Sequence, residues 1–213
     1  LRGSGMDKFP AEKPHDFTLG RLSAIEEFSR KAKLCFVGMS YQEMIYNYLG
    51  GRKDYIDRMG VDPKAVVKIS NPMSESFEYL RNSPLPGLLG TESVSSKAPY
   101  PHRVFEIGKV AVFDEAENYG IATRQFAGFL SSHAQADYNE IASHVATLMY
   151  YLGKEYSVRE AQDCRFIPGR QAEILRSGKR VGIFGEIHPG VLEAFGITMP
   201  SAGGEIDLDL LLS

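Results

Sequence analysis

The sequence has 213 residues, of which 43% are hydrophobic and 24% are charged, and its formal net charge is −3. These values predict one folded domain with a substantial core and exclude a disordered chain. A free-standing nucleic-acid binder usually has a positive net charge, and this chain does not. No apolar run approaches the roughly 18 residues of a membrane helix. With no signal peptide in front of them, Cys35 and Cys164 indicate reduced thiols in a cytoplasmic protein.

The first residues do not resemble part of the domain. We interpret residues 1–5, before Met6, as the remnant of a tag or linker, and the polar stretch from Asp7 to Asp16 as an extended lead-in. The domain itself is predicted to span residues 17–213.

The first predicted helix runs from Ser23 to Val37. Ser23 and Glu26 form a capping box, in which a serine N-cap is followed three residues later by a glutamate, and Gly38 is the predicted end. Apolar residues follow at helical spacing, namely Ile25, Phe28, Ala32, Cys35, Phe36 and Met39.

The next elements are predicted to be short. Residues 41–49 indicate a strand, residues 52–59 a short helix ending at Gly60, and residues 65–69 a short strand that Asn71-Pro72 ends. Ser83, followed by a proline, predicts the cap of a second helix reaching to about Lys97.

Two long strands are predicted at residues 102–113 and 119–131. Each has apolar residues on both faces, which is typical of central strands covered on both sides, and the polar connection favours an antiparallel hairpin. Asp137 and Glu140 then form an acidic capping box for a helix that ends at Gly153.

The segment Phe166–Leu211 predicts a strand, a tight turn, a strand, a short helix beginning at Pro189 and a last strand over residues 205–211. The predicted turn is Ser177-Gly178-Lys179. A two-residue loop there would set Ile174 opposite Val181 or Ile183, whereas a three-residue loop would set it opposite Gly182. Together the elements predict the α+β class, with a mostly antiparallel sheet flanked by helices.

Two separated motifs resemble a known family. The pattern PGR…GEIHP-x-VLE-x-FGI, which begins at Pro168, and the run ISNPMSESFEYLRNSPLPGLL from Ile69 to Leu89 resemble the class II synthetase-like core of the phenylalanyl-tRNA synthetase beta subunit, archaeal or eukaryotic type. The resemblance covers about residues 17–211, with one departure at Pro84. Because that subunit is much longer, we interpret the chain as an excised domain. The structural residues that carry the resemblance are Asn71, Pro72, Arg81, Gly87, Pro168, Gly169, Arg170, Glu186, His188 and Pro189.

Class II chemistry needs cations on the phosphates of ATP, and the family places one arginine in the central hairpin and another in the last glycine-rich motif. Arg103 and Arg124 are weak candidates for phosphate contacts, since Arg103 and Glu106 are spaced to point to opposite faces of a strand. A strand-edge ion pair is the competing interpretation. The segment Met199–Ser213 has three carboxylates and no lysine or arginine, so we predict no catalytic residue in this chain.

Other site chemistry is not indicated. The five histidines and two cysteines lack metal-ligand spacing, and no phosphate-binding glycine loop is present, so we predict no metal site and no cofactor. His144 is interpreted as a satisfied core histidine, and His188 as a residue that fixes a strand-to-helix turn.

The resemblance also implies a partner. In class II cores the first helix, the strand after it and the helix after Ser83 build the subunit interface, and here these pieces are rich in tyrosine and methionine, as interfaces are. The alternative is that both faces are simply core. The candidate interface residues are Ile25, Phe28, Met39, Tyr41, Met44, Tyr46 and Tyr48.

The resemblance therefore predicts a non-catalytic unit of phenylalanine–tRNA ligase. Such an enzyme has two alpha and two beta subunits and attaches phenylalanine to tRNA(Phe), and the alpha subunit is expected to hold ATP and Mg²⁺. The isolated domain is expected to self-associate. Two alternatives stay open: an active class II ligase domain with degenerate motifs, and a tRNA-binding or adaptor module.

Overall fold

The computed structural model describes residues 3, 5, 8–13, 15 and 19–213 of the chain. Part of the predicted tag and lead-in, and Phe17, lie outside the described residues. The strands are β1 Gln42–Glu43, β2 Leu49–Gly50, β3 Val67–Lys68, β4 Tyr79–Leu80, β5 His102–Phe113, β6 Ile121–Ser132, β7 Ser157–Glu160, β8 Phe166–Arg176, β9 Lys179–Ile187 and β10 Ser201–Asp207. The α-helices are α1 Ala24–Gly38, α2 Leu85–Val94, α3 Tyr138–Leu152, α4 Pro189–Phe195 and α5 Leu208–Leu212.

Seven strands form one sheet in the order β1-β5-β6-β10-β9-β8-β7, and every pair is antiparallel except β1 with β5. The remaining strands form a small second sheet in the order β2-β4-β3. This confirms the predicted α+β class with a mostly antiparallel sheet.

The long hairpin β5–β6 lies inside the large sheet, between the edge strand β1 and the central strand β10. It pairs from His102 with Ser132 to Phe113 with Ile121, as predicted. The second strand begins two residues later than expected, because Tyr119 and Gly120 have positive φ angles of 60° and 69° and so belong to the turn.

Helices cover both faces of the large sheet. On one face α1, α3 and α5 pack over a core that includes Phe36, Phe105, Phe129, Ile141 and Leu148. On the other face α2 and α4 pack over a second core; its members include Leu88, Val104, Leu130, Phe166 and Ile183. Within the described residues no helix is both long and apolar enough to cross a membrane.

The helix caps follow the predictions closely, since they depend on residues a few positions apart. The Ser23 hydroxyl accepts a hydrogen bond from the Glu26 N–H at 3.4 Å, and the Asp137 carboxylate accepts one from the Glu140 N–H at 2.8 Å. At α2 the prediction is one residue off: the helix begins at Leu85 with Pro84 as its N-cap, while Ser83 Oγ accepts from the Leu85 N–H at 3.1 Å, and the helix ends at Val94 and not near Lys97.

The predicted strand at residues 41–49 is wrong. Only β1 and β2 are extended there, and the chain between them leaves the sheet. The Met44 N–H still bonds the Phe105 carbonyl, but the Tyr46 N–H turns to the Glu106 carboxylate at 3.3 Å. A side-chain acceptor has therefore replaced the next backbone hydrogen bond between this segment and β5.

The predicted last strand at residues 205–211 is shifted. The strand is Ser201–Asp207, and its seven residues are all buried because it is central in the sheet. Asp207 accepts a hydrogen bond from the Leu210 N–H at 2.9 Å and so caps the short helix α5.

The hairpin β8–β9 has a two-residue turn, one of the two loop lengths considered, with positive φ at Ser177 and Gly178. Arg176 pairs with Lys179, yet Ile174 lies opposite Gly182. An irregularity between Ile174 and Leu175 shifts the register, so a two-residue loop gives the pairing that the three-residue alternative predicted.

Candidate functional site

Two buried glutamates and a glycine lie in one row across the middle of the large sheet. Glu106 on β5 and Glu205 on β10 both pair with Gly128 on the intervening strand β6, and paired residues share a sheet face. The two glutamates are 2% and 6% exposed. This row lies on the face covered by α2, and a buried charge there requires a partner.

The partner of Glu205 is Arg165, which precedes β8. Arg165 Nη1 lies 2.8 Å from Glu205 Oε1. Its Nε and Nη2 donate bidentate hydrogen bonds to the Asp163 carboxylate at 2.9 and 2.8 Å. Ser83 completes the cluster, because its hydroxyl donates to Glu205 and accepts from Arg165 Nη1. All three nitrogens of this guanidinium are therefore engaged within the chain.

The partner of Glu106 is Arg81, which is 2% exposed. Arg81 Nη1 donates to Glu106 Oε2 at 2.8 Å, its Nε donates to the Lys109 carbonyl at 2.9 Å, and the guanidinium lies 4.8 Å from the Tyr48 ring centre. A Cβ at Gly108 would lie 2.2 Å from Arg81 Nη2, so the absence of a side chain there makes room for the arginine.

The ionisation of this row reflects both burial and pairing. Burial raises the pKa of Glu106, and the bonds from Arg81 and the Tyr46 N–H offset this only in part. Burial also acts to raise the pKa of Asp163, but the Arg165 bonds outweigh it and lower that pKa. For Arg165 itself, burial acts to lower the pKa, and Glu205 and Asp163 reverse this and raise it. Such an arrangement holds charge in place and leaves no free guanidinium for a phosphate group in the Arg165 cluster.

Sequence analysis missed Arg165 and Glu205 as a pair. Among the acids of residues 199–213, Glu205 binds Arg165, Asp207 caps α5 and lies 3.8 Å from Arg124, and Asp209 accepts from the Gln125 N–H at 2.6 Å. The acidic tail is thus satisfied by hydrogen bonds inside the chain. The spacing of Asp163 and Arg165 was the available signal, and it is too common to identify a site.

Arg103 and Arg124 are not brought together. Arg103 pairs with Ser131 and Arg124 with Val110, so the two lie seven residues apart along the hairpin, about 23 Å, and on opposite faces. Arg103 Nη2 binds Glu140 at 2.9 Å, and Arg124 Nη2 binds Asp114 at 2.8 Å. Both form ion pairs, as the competing interpretation stated, and no joint phosphate site results.

Glu140 collects further polar groups on the opposite sheet face. It accepts from Arg103, from Ser131 at 3.2 Å and from His133 Nε2 at 2.6 Å. His144 Nδ1 lies 2.8 Å from the Tyr41 hydroxyl, and burial lowers the pKa of this histidine, in agreement with a satisfied core residue. Among the residues that the structure describes, no group of three His, Cys, Asp or Glu side chains could hold a metal ion.

A pH dependence follows from Glu140. Burial acts to raise its pKa, but the hydrogen bonds from His133 and Arg103 outweigh it, so the folded pKa lies below the ordinary 4.5. A carboxyl group whose pKa is lower in the folded protein stabilises the fold at pH values above its pKa in the unfolded state. This stabilisation is lost as the pH falls through the pKa of the folded protein. We expect Glu140→Gln to lower the free energy of unfolding at pH 6. Between about pH 5 and about pH 3, the free energy of unfolding of this variant should fall less than that of the parent, as measured by urea titrations. Parallel pH profiles for the two proteins would contradict this.

The residues of the PGR and GEIHP motifs have structural roles. Gly169 has a φ of 76°, the positive value predicted for it, at the point where the register of β8 shifts. Arg170 binds Glu186 at 2.7 Å, and Glu186 also accepts from the Tyr138 N–H. His188 caps α4 by accepting from the Gly190 N–H at 3.1 Å, and Pro189 begins that helix.

The remaining motif residues lie in different parts of the domain. A Cβ at Gly87 would be 2.9 Å from the Tyr46 ring, so this glycine lets the ring pack directly on α2. Asn71 and Pro72 line an apolar groove with Tyr48 and Phe77. Pro168 lies at the edge of a separate cleft near His188.

The candidate interface residues divide into three groups. Phe28 and Tyr41 are 7% and 3% exposed and belong to the domain's own core, so the interface interpretation is wrong for them. Four residues are partly buried: Ile25 and Met39 pack against the first core, and Met44 and Tyr46 pack against the second. Tyr48 is 49% exposed.

Sequence analysis missed the apolar side chains that do face outward at this edge. Leu34 and Val37 on α1 are 72% and 57% exposed, and Ile45, just after the edge strand β1, is 86% exposed. Helix α1 packs beside the edge strand β1, so the three residues belong to neighbouring parts of the fold. The signal was available in the helical periodicity, since Leu34 and Val37 fall outside the stripe of Phe28, Ala32 and Phe36.

Comparison with known proteins gives a consistent result. Residues 10–208 match a family model described as the phenylalanyl tRNA synthetase beta chain CLM domain. A phenylalanine–tRNA ligase beta subunit from Borrelia garinii subsp. bavariensis is 50% identical over 213 residues, which is 99% of this chain and 37% of that protein. One from Treponema pallidum subsp. pallidum is 47% identical over 212 residues, which is 100% of this chain and 35% of that protein.

Among solved structures, a pyrrolysyl-tRNA synthetase from Desulfitobacterium hafniense, PylSc, superposes with a TM-score of 0.73. The identity is 13%, and the match covers 89% of this chain and 68% of that one. At this identity the likeness concerns the fold alone. The chain thus has the fold of a synthetase core but spans little more than a third of the curated relatives that it matches.

Proposed function

Since the chain belongs to the family of phenylalanyl-tRNA synthetase beta chain CLM domains, we propose that it is a non-catalytic core that supports assembly of a phenylalanine–tRNA ligase. The observation that carries this proposal is the row of ion pairs across the sheet. Arg165 and Arg81 are held by Glu205, Asp163 and Glu106, so these cations stabilise the fold. Adenylate chemistry requires cations that face the phosphates, where charge develops in the transition state.

In the whole enzyme, the catalytic work then belongs to the alpha subunit, which holds ATP, Mg²⁺ and phenylalanine. This chain holds no cofactor of its own. The complete assembly has two alpha and two beta subunits, acts on tRNA(Phe) and works in the cytoplasm. The outward apolar residues Leu34 and Val37 on α1 and Ile45 after β1 support a partner surface near the β1 edge, because these two elements pack together and exposed apolar side chains are used in protein contacts.

The two alternatives have less support. An active ligase domain would need free cations on the sheet face, and the guanidiniums described there are paired with carboxylates. An RNA-binding module would favour a basic surface, whereas the net charge is −3.

The proposal predicts that this chain alone performs no phenylalanine-dependent exchange between ATP and pyrophosphate. The reason is that Arg103, Arg124 and Arg165 each bind a carboxylate of the chain. A radiolabelled exchange assay, with an intact phenylalanyl-tRNA synthetase as the positive control, measures this. Exchange above background that disappears in Arg103→Ala would contradict the proposal and favour the active-ligase alternative.

Assembly is tested at the exposed residue Ile45. We expect Ile45→Glu to prevent co-purification with a co-expressed alpha subunit and to reduce self-association of the isolated domain in light scattering, because a charge cannot be buried in an apolar contact without a large penalty. Val158→Glu is the matched control, since Val158 is 51% exposed on β7, the strand at the opposite edge of the large sheet. Equal co-purification of both variants would show that the partner surface lies elsewhere.

A further inference from the structure

A polar cleft of about 610 Å³ lies where the end of helix α3 meets the turn between β8 and β9. Its charged lining residues are Lys154, Glu155 and Arg176, and Ser157 and Ser177 also line it. This volume is in the range of small-molecule sites. None of the sites described above includes this cleft.

Two cations of the cleft are held on neighbouring carbonyl groups at the end of helix α5. Lys154 Nζ donates to the Leu212 carbonyl at 3.1 Å, and Arg176 Nη1 donates to the Leu211 carbonyl at 2.5 Å. Each bond uses one donor, whereas an ammonium and a guanidinium group have several. Both side chains are partly exposed, and neither has a buried nitrogen without a partner, so their remaining donors are open to solvent.

These two charges are not neutralised by the part of the chain that the structure describes. A carbonyl oxygen accepts a hydrogen bond but has no net charge, and the acid Glu173 on β8 is already bound by Arg159 at 2.5 Å and by Arg180 at 3.6 Å. Burial and the positive charge of Arg176 lower the pKa of Lys154, as is expected for two cations without an anion between them.

The balance of charge around the cleft therefore favours an anion. Lys179 is exposed and pairs with Arg176 across the turn, so it adds a third cation on the same face. The only acid of the lining is the exposed residue Glu155. An ammonium and a guanidinium group side by side are typical ligands of a phosphate group.

Two exposed tyrosines adjoin the cleft on the last turn of α3. Tyr150 and Tyr151 are 79% and 69% exposed, and their rings lie 5.3 Å apart at an angle of 83°. Gly153 ends the helix with a φ of 64°, and the Lys154 N–H then bonds the Met149 carbonyl, so the chain places Lys154 beside this last turn. Cations next to accessible aromatic rings are the combination that holds single nucleic-acid strands, because the cations bind phosphates and the rings stack on bases.

We propose that this face binds a single nucleic-acid strand, with a phosphate group held by Lys154 and Arg176 and neighbouring bases stacked on Tyr150 and Tyr151. The strand has to be single, because the bases of a duplex are stacked on each other and do not reach the tyrosines. The net charge of −3 describes the whole chain, so this is a local contact and does not make the chain an autonomous nucleic-acid binder.

The site goes beyond the proposed assembly role and does not depend on it. The cleft lies at β8, whereas Ile45 follows β1, near the opposite edge of the large sheet. Ile45→Glu should therefore bind a nucleic-acid strand like the parent, and a failure of the assembly proposal would leave this test unaffected.

The test is a fluorescence anisotropy titration of dye-labelled oligouridine with the 213-residue chain at several salt concentrations. We expect saturable binding that weakens as salt is added. The logarithm of the association constant should fall with the logarithm of the salt concentration with a slope of about −1 to −2, as for two or three phosphate contacts on a single strand. Oligothymidine of the same length distinguishes RNA from DNA, and binding of either strand supports the proposal.

Lys154→Gln tests the phosphate contact. The amide can still donate to the Leu212 carbonyl, so the fold should be kept while the charge is lost. We expect binding of oligouridine to weaken by at least about threefold and the salt slope to become smaller by about 0.7. Lys64→Gln is the matched control, because Lys64 is an exposed lysine in the segment before β3 of the small sheet, and it should bind like the parent.

The double variant Tyr150→Ala with Tyr151→Ala tests the stacking. Both side chains are largely exposed, so the fold should be kept, and we expect binding to weaken by at least about fivefold. The double variant Tyr150→Phe with Tyr151→Phe keeps both rings and should bind like the parent.

Four results would overturn the proposal. These are no saturable binding of either strand, equal binding of an abasic strand of the same length, equal binding of polyglutamate, or equal binding by Lys154→Gln and Lys64→Gln. Tighter binding to vesicles of anionic phospholipid than to oligouridine would likewise reject it and would assign the face to a membrane surface.

Discussion

Arg165→Met is expected to lower the free energy of unfolding by about 3–5 kcal/mol, because it leaves buried carboxylates without their cation. Arg165 is 8% exposed, and it holds Glu205, which is 6% exposed, as well as Asp163. The methionine keeps much of the side-chain volume, so the loss comes from the removed charge. Equilibrium unfolding in urea, followed by circular dichroism, measures the change.

Two further proteins interpret that result. The double variant Arg165→Met with Glu205→Leu should recover part of the lost stability, since removing both members of a buried pair costs less than removing one. Arg159→Met is the exposed control: Arg159 binds Glu173, but its side chain is 63% exposed, so the expected loss is within about 1 kcal/mol. If Arg165→Met cost no more than Arg159→Met, the buried cluster would not be a main source of stability.

Gly128→Ala is expected to destabilise the protein by about 1–3 kcal/mol through overpacking. A Cβ at this position would lie 2.5 and 2.8 Å from the Cγ and Cβ atoms of Pro84. The proline ring cannot rotate away, and Ser83 beside it is bonded to Glu205, so the clash has to be relieved by moving α2 from the sheet. Thermal and urea unfolding would both report the loss.

The same substitution in open space is the control for Gly128→Ala. Gly90→Ala adds a methyl group that meets nothing within 4 Å inside helix α2, so it should stabilise the protein by about 0.5–1 kcal/mol. Opposite signs for the two variants are the expected result. A neutral Gly128→Ala would indicate that α2 is not held tightly against the ion-pair row.

The two sets of variants also separate stability from function. Loss of Arg165 or crowding at Gly128 acts on the sheet face beneath α2, whereas Ile45→Glu acts on a side chain that is 86% exposed. Arg165→Met and Gly128→Ala should impair assembly only in proportion to the stability that they lose. Ile45→Glu should impair assembly with an unchanged melting temperature, which distinguishes a contact residue from a folding residue.

The prediction from sequence succeeded wherever the deciding contacts are local. The caps at Ser23 and Asp137 each rest on a hydrogen bond across three residues, and the left-handed glycines at 153, 169 and 196 follow from the steric freedom of glycine. The hairpin β5–β6 followed from two apolar runs separated by a short polar connection. The family resemblance, which rested on separated motifs, was confirmed over residues 10–208.

The prediction failed where distant parts of the chain compete for the same backbone or side chain. Residues 41–49 do not form the expected strand, because the Tyr46 N–H donates a hydrogen bond to the Glu106 carboxylate, 60 positions away. One local feature also escaped prediction: the register of Ile174 depends on an irregularity next to Leu175, which loop length does not encode. Phe28 was a candidate interface residue, and only the packing of α1 on the sheet showed that it belongs to the domain's own core.

The sequence by itself therefore determined the fold class, the main helices, the central hairpin and the family, since periodicity, capping and motif order are properties of neighbouring residues. Only the tertiary structure decided what the charged residues do. Arg165 and Ser83 are 82 positions apart and meet on Glu205, 122 positions from Ser83. A buried charge takes whichever partner the packing brings within about 3 Å, and that choice is made by the whole fold.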